Sequence, residues 1–147
     1  MPDAPADILL VEDNPNDVEL TLHALRKNGL AASVRVVRDG VEALEFLFGS
    51  EGAPPHDPPP GLKLILLDLK LPRLDGIEVL KRLKADPRTR STPVVILTSS
   101  RQKRDLVECY QMGVNSFIVK PMDYKKFVEA VGQVGLYWML VNQRSEP

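Results

Sequence analysis

Three stretches of this chain are apolar without a break: ILLV at 8–11, LILL at 64–67 and VVIL at 94–97. A strand with one wet face alternates apolar and polar residues. An unbroken run is expected where a strand is covered on both faces, as in a parallel sheet packed between two layers of helix. Two further strand patterns, 33–37 and 117–119, bring the count to five, and an amphipathic helical pattern follows each strand. Alternation of this kind predicts an α/β architecture: a doubly wound five-stranded parallel sheet with helices on both faces and right-handed crossovers.

The helix punctuation agrees. Asn14 offers an N-cap, Pro15 suits the first helical position, Asp17 favours the first turn, and Gly29 ends a stripe of Val18, Leu22 and Leu25. Asp39 with Glu42 is a capping-box pattern before Val41, Leu44, Leu47 and Phe48. Asp75 and Glu78 open a third helix that turns Ile77, Leu80 and Leu83 inward. Leu106, Cys109 and Tyr110 mark a fourth helix closed by Gly113, and a last helix runs from about Tyr124 to Asn142. At 147 residues the chain reads as a single domain with a core over about 7–142. Residues 49–61 (GSEGAPPHDPPPG) hold five of the 13 prolines and read as an exposed loop, a tolerated surface insertion.

Charge and composition narrow the function. The net charge of −1 gives no broad electrostatic case for nucleic acid. No apolar run approaches the roughly 20 residues of a membrane span, and the N-terminus lacks the basic start of a secretory signal. A single cysteine, Cys109, permits no internal disulfide and suits a reducing cytoplasm. The chain ends with no room for a DNA-binding output domain, so output is expected through surface contacts.

Doubly wound sheets bind ligands beyond the carboxyl ends of their strands. Those ends carry Glu12 and Asp13, then Asp68, then Thr98 and Ser99, then Lys120. One acid after a strand is an ordinary helix cap. Three acids, hydroxyls and a lysine converging on one sheet edge point to chemistry. Neighbouring carboxylates repel each other unless a cation intervenes, and hard oxygens suit Mg²⁺. One of the carboxylates can then attack phosphorus to give an aspartyl phosphate, with Lys120 and the Thr98 hydroxyl on the transferred oxygens.

At these residues the chain resembles the receiver domains of two-component response regulators, which have a flavodoxin-like fold. The matching segments are ILLVEDN (8–14), LILLDLKLPRLDG (64–76), VVILTSS (94–100) and SFIVKP (116–121). The resemblance implies Asp68 as phospho-acceptor, with Glu12, Asp13, Asp68 and the Lys70 carbonyl as metal ligands. It implies Thr98 as the switch hydroxyl, Lys120 as the phosphate-binding cation and a cis bond before Pro121. Phe117 falls at the aromatic switch position, and Lys70 and Ser100 at positions that influence phosphoryl lifetime. The Pro-rich segment, KADPRTRSTPVVILTSS (84–100) and GLYWMLVNQ (135–143) are similar to single-domain regulators paired with bacterial phytochromes. A sensor histidine kinase is the implied partner.

Two other functions compete. A haloacid-dehalogenase-type phosphohydrolase also uses a post-strand Asp, but wants a second Asp two residues on, where this chain has Lys70. A phosphorylation-independent scaffold would leave buried charges unused at a cost. His23 and His56 have no partner at metal-ligand spacing. Arg101, Lys103 and Arg104, and likewise Lys81, Arg82 and Lys84, read as solvated faces. In the last helix Phe127, Val131, Val134, Trp138 and Val141 form the seam toward the sheet. Leu136, Tyr137, Met139 and Leu140 add bulk on its other faces, and Gly132 and Gly135 suggest close approach of another backbone. A two-fold homodimer is therefore expected, through Val134, Tyr137, Trp138, Leu140 and Val141 and the fifth strand.

Overall fold

A computed structural model of the chain describes residues 6–30, 33–50, 52–99, 101–120 and 123–141. Five strands form one parallel sheet: β1 (Ile8–Val11), β2 (Val34–Val37), β3 (Leu64–Leu67), β4 (Val94–Thr98) and β5 (Ser116–Val119). Five helices connect and follow them: α1 (Pro15–Arg26), α2 (Gly40–Phe48), α3 (Gly76–Ala85), α4 (Lys103–Gln111) and α5 (Tyr124–Leu136). The strand order is β2-β1-β3-β4-β5. The chain leaves β1 toward one edge and returns on its other side, which opens a crevice at the carboxyl ends of β1 and β3.

The unbroken apolar runs are explained by two cores. Leu9, Val11, Ile65, Leu67, Val94 and Ile96 face one way, against Ala43 and Leu47 of α2, Val79, Leu80 and Leu83 of α3 and Cys109 of α4. Ile8, Leu10, Leu64, Leu66, Val95 and Leu97 face the other way, against Val18, Ala24 and Leu25 of α1 and Phe127, Val128 and Val131 of α5. Each valine, leucine, isoleucine or phenylalanine among them that is removed wholly from water contributes about 1.5–3 kcal/mol. The outermost strands β2 and β5 have only half-buried positions apart from Val37.

The caps are as expected at the helix starts. Asn14 Oδ1 accepts from the backbone of Asn16 and Asp17, and Asp75 Oδ1 from that of Glu78. Asp39 Oδ1 accepts from Glu42 N at 2.8 Å, but the Glu42 carboxylate returns to Arg38 N rather than to Asp39. Arg101, Lys103, Arg104, Lys81 and Arg82 are exposed. Lys84 departs from that reading: it is half-buried, its ammonium donates to the Arg90 carbonyl at 3.1 Å, and burial pulls its pKa down.

The last helix differs from expectation. It is α-helical to Leu136, and the turn from Tyr137 to Val141 is π-helical, which resets the register of the seam. Val134, Trp138 and Met139 pack on the second core, while Tyr137 and Leu140 stay exposed. The two glycines admit α1 and the turn that follows it in the same chain. A Cβ at Gly132 would lie 2.5 Å from Asn28 Nδ2, and one at Gly135 would lie 3.0 Å from Leu25 Cδ2. Their close approach is therefore internal. Asn142 and the Val141 side chain lie outside the described residues, as do Ser100 and Pro121 with its expected cis bond.

All strands run one way, so the molecule has two unlike poles. The Pro-rich loop lies at the amino-end pole. Its residues 52–57 are exposed, and it is tied down by Arg88, which donates to Asp57 at 3.0 Å and stacks over Phe48. The acids, Thr98 and Lys120 lie at the opposite pole.

Candidate functional site

The polar residues at the carboxyl-end pole are fixed by a ladder that continues one residue past the strands. Glu12 N donates to Val37 O at 3.0 Å, Asp68 N to Val11 O at 3.1 Å, and Lys120 N to Thr98 O at 2.6 Å. Backbone bonds thus fix each of these three strand ends, after β1, β3 and β5, to the strand beside it.

Glu12, Asp13 and Asp68 each turn a carboxylate oxygen into one cluster in which those oxygens lie within 4.8 Å of one another. Glu12 and Asp68 are buried and Asp13 is exposed. The Lys120 ammonium enters from β5. It donates to Glu12 Oε1, to Asp68 Oδ2 at 3.1 Å and to Asp17 Oδ2 at 3.0 Å. Asn14 N donates to Glu12 Oε2 at 3.2 Å, and Lys70 N to Asp68 Oδ1 at 3.2 Å. Burial pushes Glu12 up to about 7, the Asp68 charge adds to that, and Lys120 and the Asn14 N–H pull against it. Burial alone would lower Lys120. The bond to Glu12 and the charges of Asp68 and Glu12 outweigh it and hold the ammonium above its ordinary range.

A cluster of three carboxylates open on the Asp13 side is a set of hard, anionic oxygens of the kind that divalent cations such as Mg²⁺ accept. The residues present therefore fit a divalent ion. Among the described residues, no buried side-chain nitrogen or oxygen is left without a partner.

Thr98 is fully buried at the end of β4, and Ser99 is exposed immediately after it. Phe117 is half-buried on β5 opposite Ile96 and packs on the core toward α3 and α4. Tyr137, Trp138 and Leu140 belong to the far end of the last helix and take no part in the cluster. His23 stacks on Tyr124, and neither histidine is in the acid cluster.

The connection from β3 to α3, which carries Lys70, is clamped from two directions. Arg73 Nη1 meets Asp39 Oδ2 at 3.2 Å, and Arg73 itself has φ 65°. A Cβ at Gly40 would sit 2.0 Å from Leu74 O, and one at Gly76 would sit 2.1 Å from Asp68 O. Asp39, Gly40 and Gly76 thus pin the loop that follows Asp68. Sequence reading gave Asp39 only a capping role. It gave Asp17 only a place in the first helical turn, where an acid favours the helix start.

Comparison with known proteins matches residues 8–132 to the response regulator receiver domain. The probable methanogenesis regulatory protein FilR2 of Methanothrix harundinacea is 37% identical over 143 residues, covering 97% of this chain and 90% of that protein. Two crystal structures each cover 97% of this chain and all of theirs at 33% identity. They are the phosphorylated cyanobacterial phytochrome response regulator RcpA, with a TM-score of 0.80, and the Mn²⁺-bound response regulator Rcp1, with a TM-score of 0.81.

Proposed function

We propose, for a chain that belongs to the response regulator receiver family and so serves phosphorylation-based signalling, that Asp68 is the phospho-acceptor of a Mg²⁺-dependent switch. The observation that carries this is the convergence of Glu12, Asp13, Asp68 and Lys120 at the crevice beside the central strand. Asp68 is buried and its carboxylate is held from both sides, Oδ1 by Lys70 N and Oδ2 by Lys120, so its orientation is set before a donor arrives. In the transfer one Asp68 oxygen bonds phosphorus as the bond from phosphorus to the donor nitrogen breaks. Lys120 and the Thr98 hydroxyl then receive the phosphoryl oxygens. A divalent ion held by Glu12, Asp13, Asp68 and the Lys70 carbonyl would supply charge neutralisation at those oxygens.

The chain catalyses its own phosphorylation and dephosphorylation only; Lys70 stands where a haloacid-type phosphohydrolase has its acid. The phosphoryl donor is a sensor histidine kinase of the phytochrome type. Support comes from the likeness to RcpA over nearly the whole chain. Thr98 moves toward the phosphoryl group, and Phe117 on the neighbouring strand responds, a two-state element biased by charge. The whole chain acts as one receiver unit in the cytoplasm. No helix among the described residues is long and apolar enough to cross a membrane. Signalling runs through protein contacts and not nucleic acid. The last helix pairs with its copy in a homodimer, supported by Tyr137 and Leu140, which are 47% and 72% exposed.

The test is labelling by acetyl phosphate or by phytochrome kinase with ATP. Wild type forms a base-labile adduct and Asp68→Asn forms none. An acid-stable, base-labile adduct on Asp68→Asn would overturn the assignment. Sedimentation of wild type against Tyr137→Glu with Leu140→Glu tests the dimer: a monomeric wild type at micromolar concentration ends that part of the reading.

A further inference from the structure

The Lys120 ammonium has three protons and three acceptors, Glu12, Asp68 and Asp17. Its side chain is 11% exposed, so little water can replace any of them. The three acceptors are not equivalent. Glu12 and Asp68 belong to the carboxylate cluster, and Asp17 does not. Asp17 rides on the first turn of α1. Its backbone N–H donates to Asn14 Oδ1 at 3.2 Å, and the positive end of the helix favours its charge.

Those differences decide which bonds survive phosphorylation. Once one Asp68 oxygen bonds phosphorus, its carboxylate charge is gone, and Asp68 becomes a poor acceptor for an ammonium. Any divalent ion in the cluster draws on the Glu12 oxygens. Asp17 is the acceptor that neither event withdraws. We propose that Asp17 is a positioning residue, a fixed anchor that keeps the Lys120 ammonium at the pocket while its other two N–H donors turn their hydrogen bonds from Glu12 and Asp68 to the phosphoryl oxygens. This rests on Asp68 being the acceptor and goes beyond it, because it assigns a role to a carboxylate outside the metal cluster. Without Asp17 the ammonium settles on Glu12 and Asp68 and screens the nucleophile.

Charge alone predicts the opposite sign. Removing a carboxylate from an anion-binding pocket makes an added anion more welcome. Removing an anchor makes it less so. Beryllium fluoride, which occupies the place of a phosphoryl group on a carboxylate, separates the two. It is titrated at saturating Mg²⁺ into wild type, Asp17→Ala and Asp17→Asn, with the ¹⁵N signal of the Lys120 ammonium followed throughout. We expect Asp17→Ala to bind about tenfold more weakly, as for loss of one charge-assisted hydrogen bond. Its ammonium signal broadens into exchange with water. Asp17→Asn, which keeps an acceptor oxygen, lies closer to wild type. Binding by Asp17→Ala that equals or exceeds wild type, or an unchanged ammonium signal, overturns the anchor while leaving Asp68 as acceptor. No adduct in wild type overturns the acceptor reading and the anchor with it.

Discussion

Gly76→Ala is the sharpest probe of how Asp68, the proposed acceptor, is held. Gly76 opens α3, and its N–H donates to Leu69 O at 2.9 Å. A methyl there would stand 2.1 Å from Asp68 O, 2.9 Å from Asp68 C and 2.7 Å from Leu69 Cα. All three are backbone atoms, so no side chain can rotate out of the way. Ordinary contact begins near 3.4 Å, and the loop must therefore retreat by more than 1 Å. Overpacking of that kind costs about 1–3 kcal/mol, and loss of the Leu69 bond adds about 1 kcal/mol. Better helix propensity of alanine returns at most about 1 kcal/mol. The net expectation is destabilisation of about 2 kcal/mol, or a fall in Tm of roughly 4–8 °C for a domain of this size. Because the displaced atoms are those of Asp68 and its neighbour, labelling by acetyl phosphate should slow by up to about 100-fold, the effect of a misplacement near 1 Å. Gly29→Ala is the control: φ there is 72° but nothing lies within 4 Å. It should cost about 1 kcal/mol of backbone strain and leave labelling alone. Urea unfolding and labelling rates of the two variants read the difference. If Gly76→Ala is as stable as wild type and labels at the same rate, the backbone clamp on the acceptor is refuted.

Three other outcomes follow from the structure. Cys109 is fully buried, and burial, aided by the charges of Asp105 and Glu108, pushes its thiol up to about 11. At pH 8 only about one part in a thousand is thiolate, so iodoacetamide should leave folded protein unmodified and label it in urea; rapid native labelling would contradict this. Glu12 sits near pH 7 instead of in the usual carboxylate range, so below about 7 a proton competes with metal. Divalent-ion affinity, read by calorimetry, should rise as pH rises through that value and level off above it, and constant affinity from pH 5.5 to 8 would argue against Glu12 as a ligand. Thr98→Ala should still accept a phosphoryl group yet lose the NMR response at Phe117, and the same shift changes in variant and wild type would break the proposed coupling.

Much of this was legible because it is local. The runs 8–11, 64–67 and 94–97 name strands buried on both faces, and their following residues must then meet at one pole. Asn14, Asp39 and Asp75 could be read as caps because a cap bonds within its own turn. What escaped depends on approach across the fold. Asp17 meets Lys120 across 103 residues, and nothing within α1 distinguishes that carboxylate from a helix-start acid. Arg73 finds Asp39 only because β1 places the β2 and β3 connections side by side. Gly132 and Gly135 signal close approach but not by what, and the answer is Asn28, Leu25 and Leu30 of the chain itself. The π-helical turn leaves no mark in apolar periodicity, since Trp138, inside the turn, still stands four residues after Val134.

The Pro-rich loop at the far pole divides the chain unevenly but meaningfully. Before it lie β1 and β2, with Glu12, Asp13 and Asp17; after it lie β3 to β5, with Asp68, Thr98 and Lys120. A cut in this loop gives two pieces that each hold part of the charge network and that reunite through the β1–β3 register of four paired residues, the packing of α5 on α1 and the Arg73–Asp39 pair. Neither piece has an acceptor with a complete set of partners. The loop is thus a natural seam for a split reporter, in which acyl-phosphate formation counts the reunion of two fused proteins.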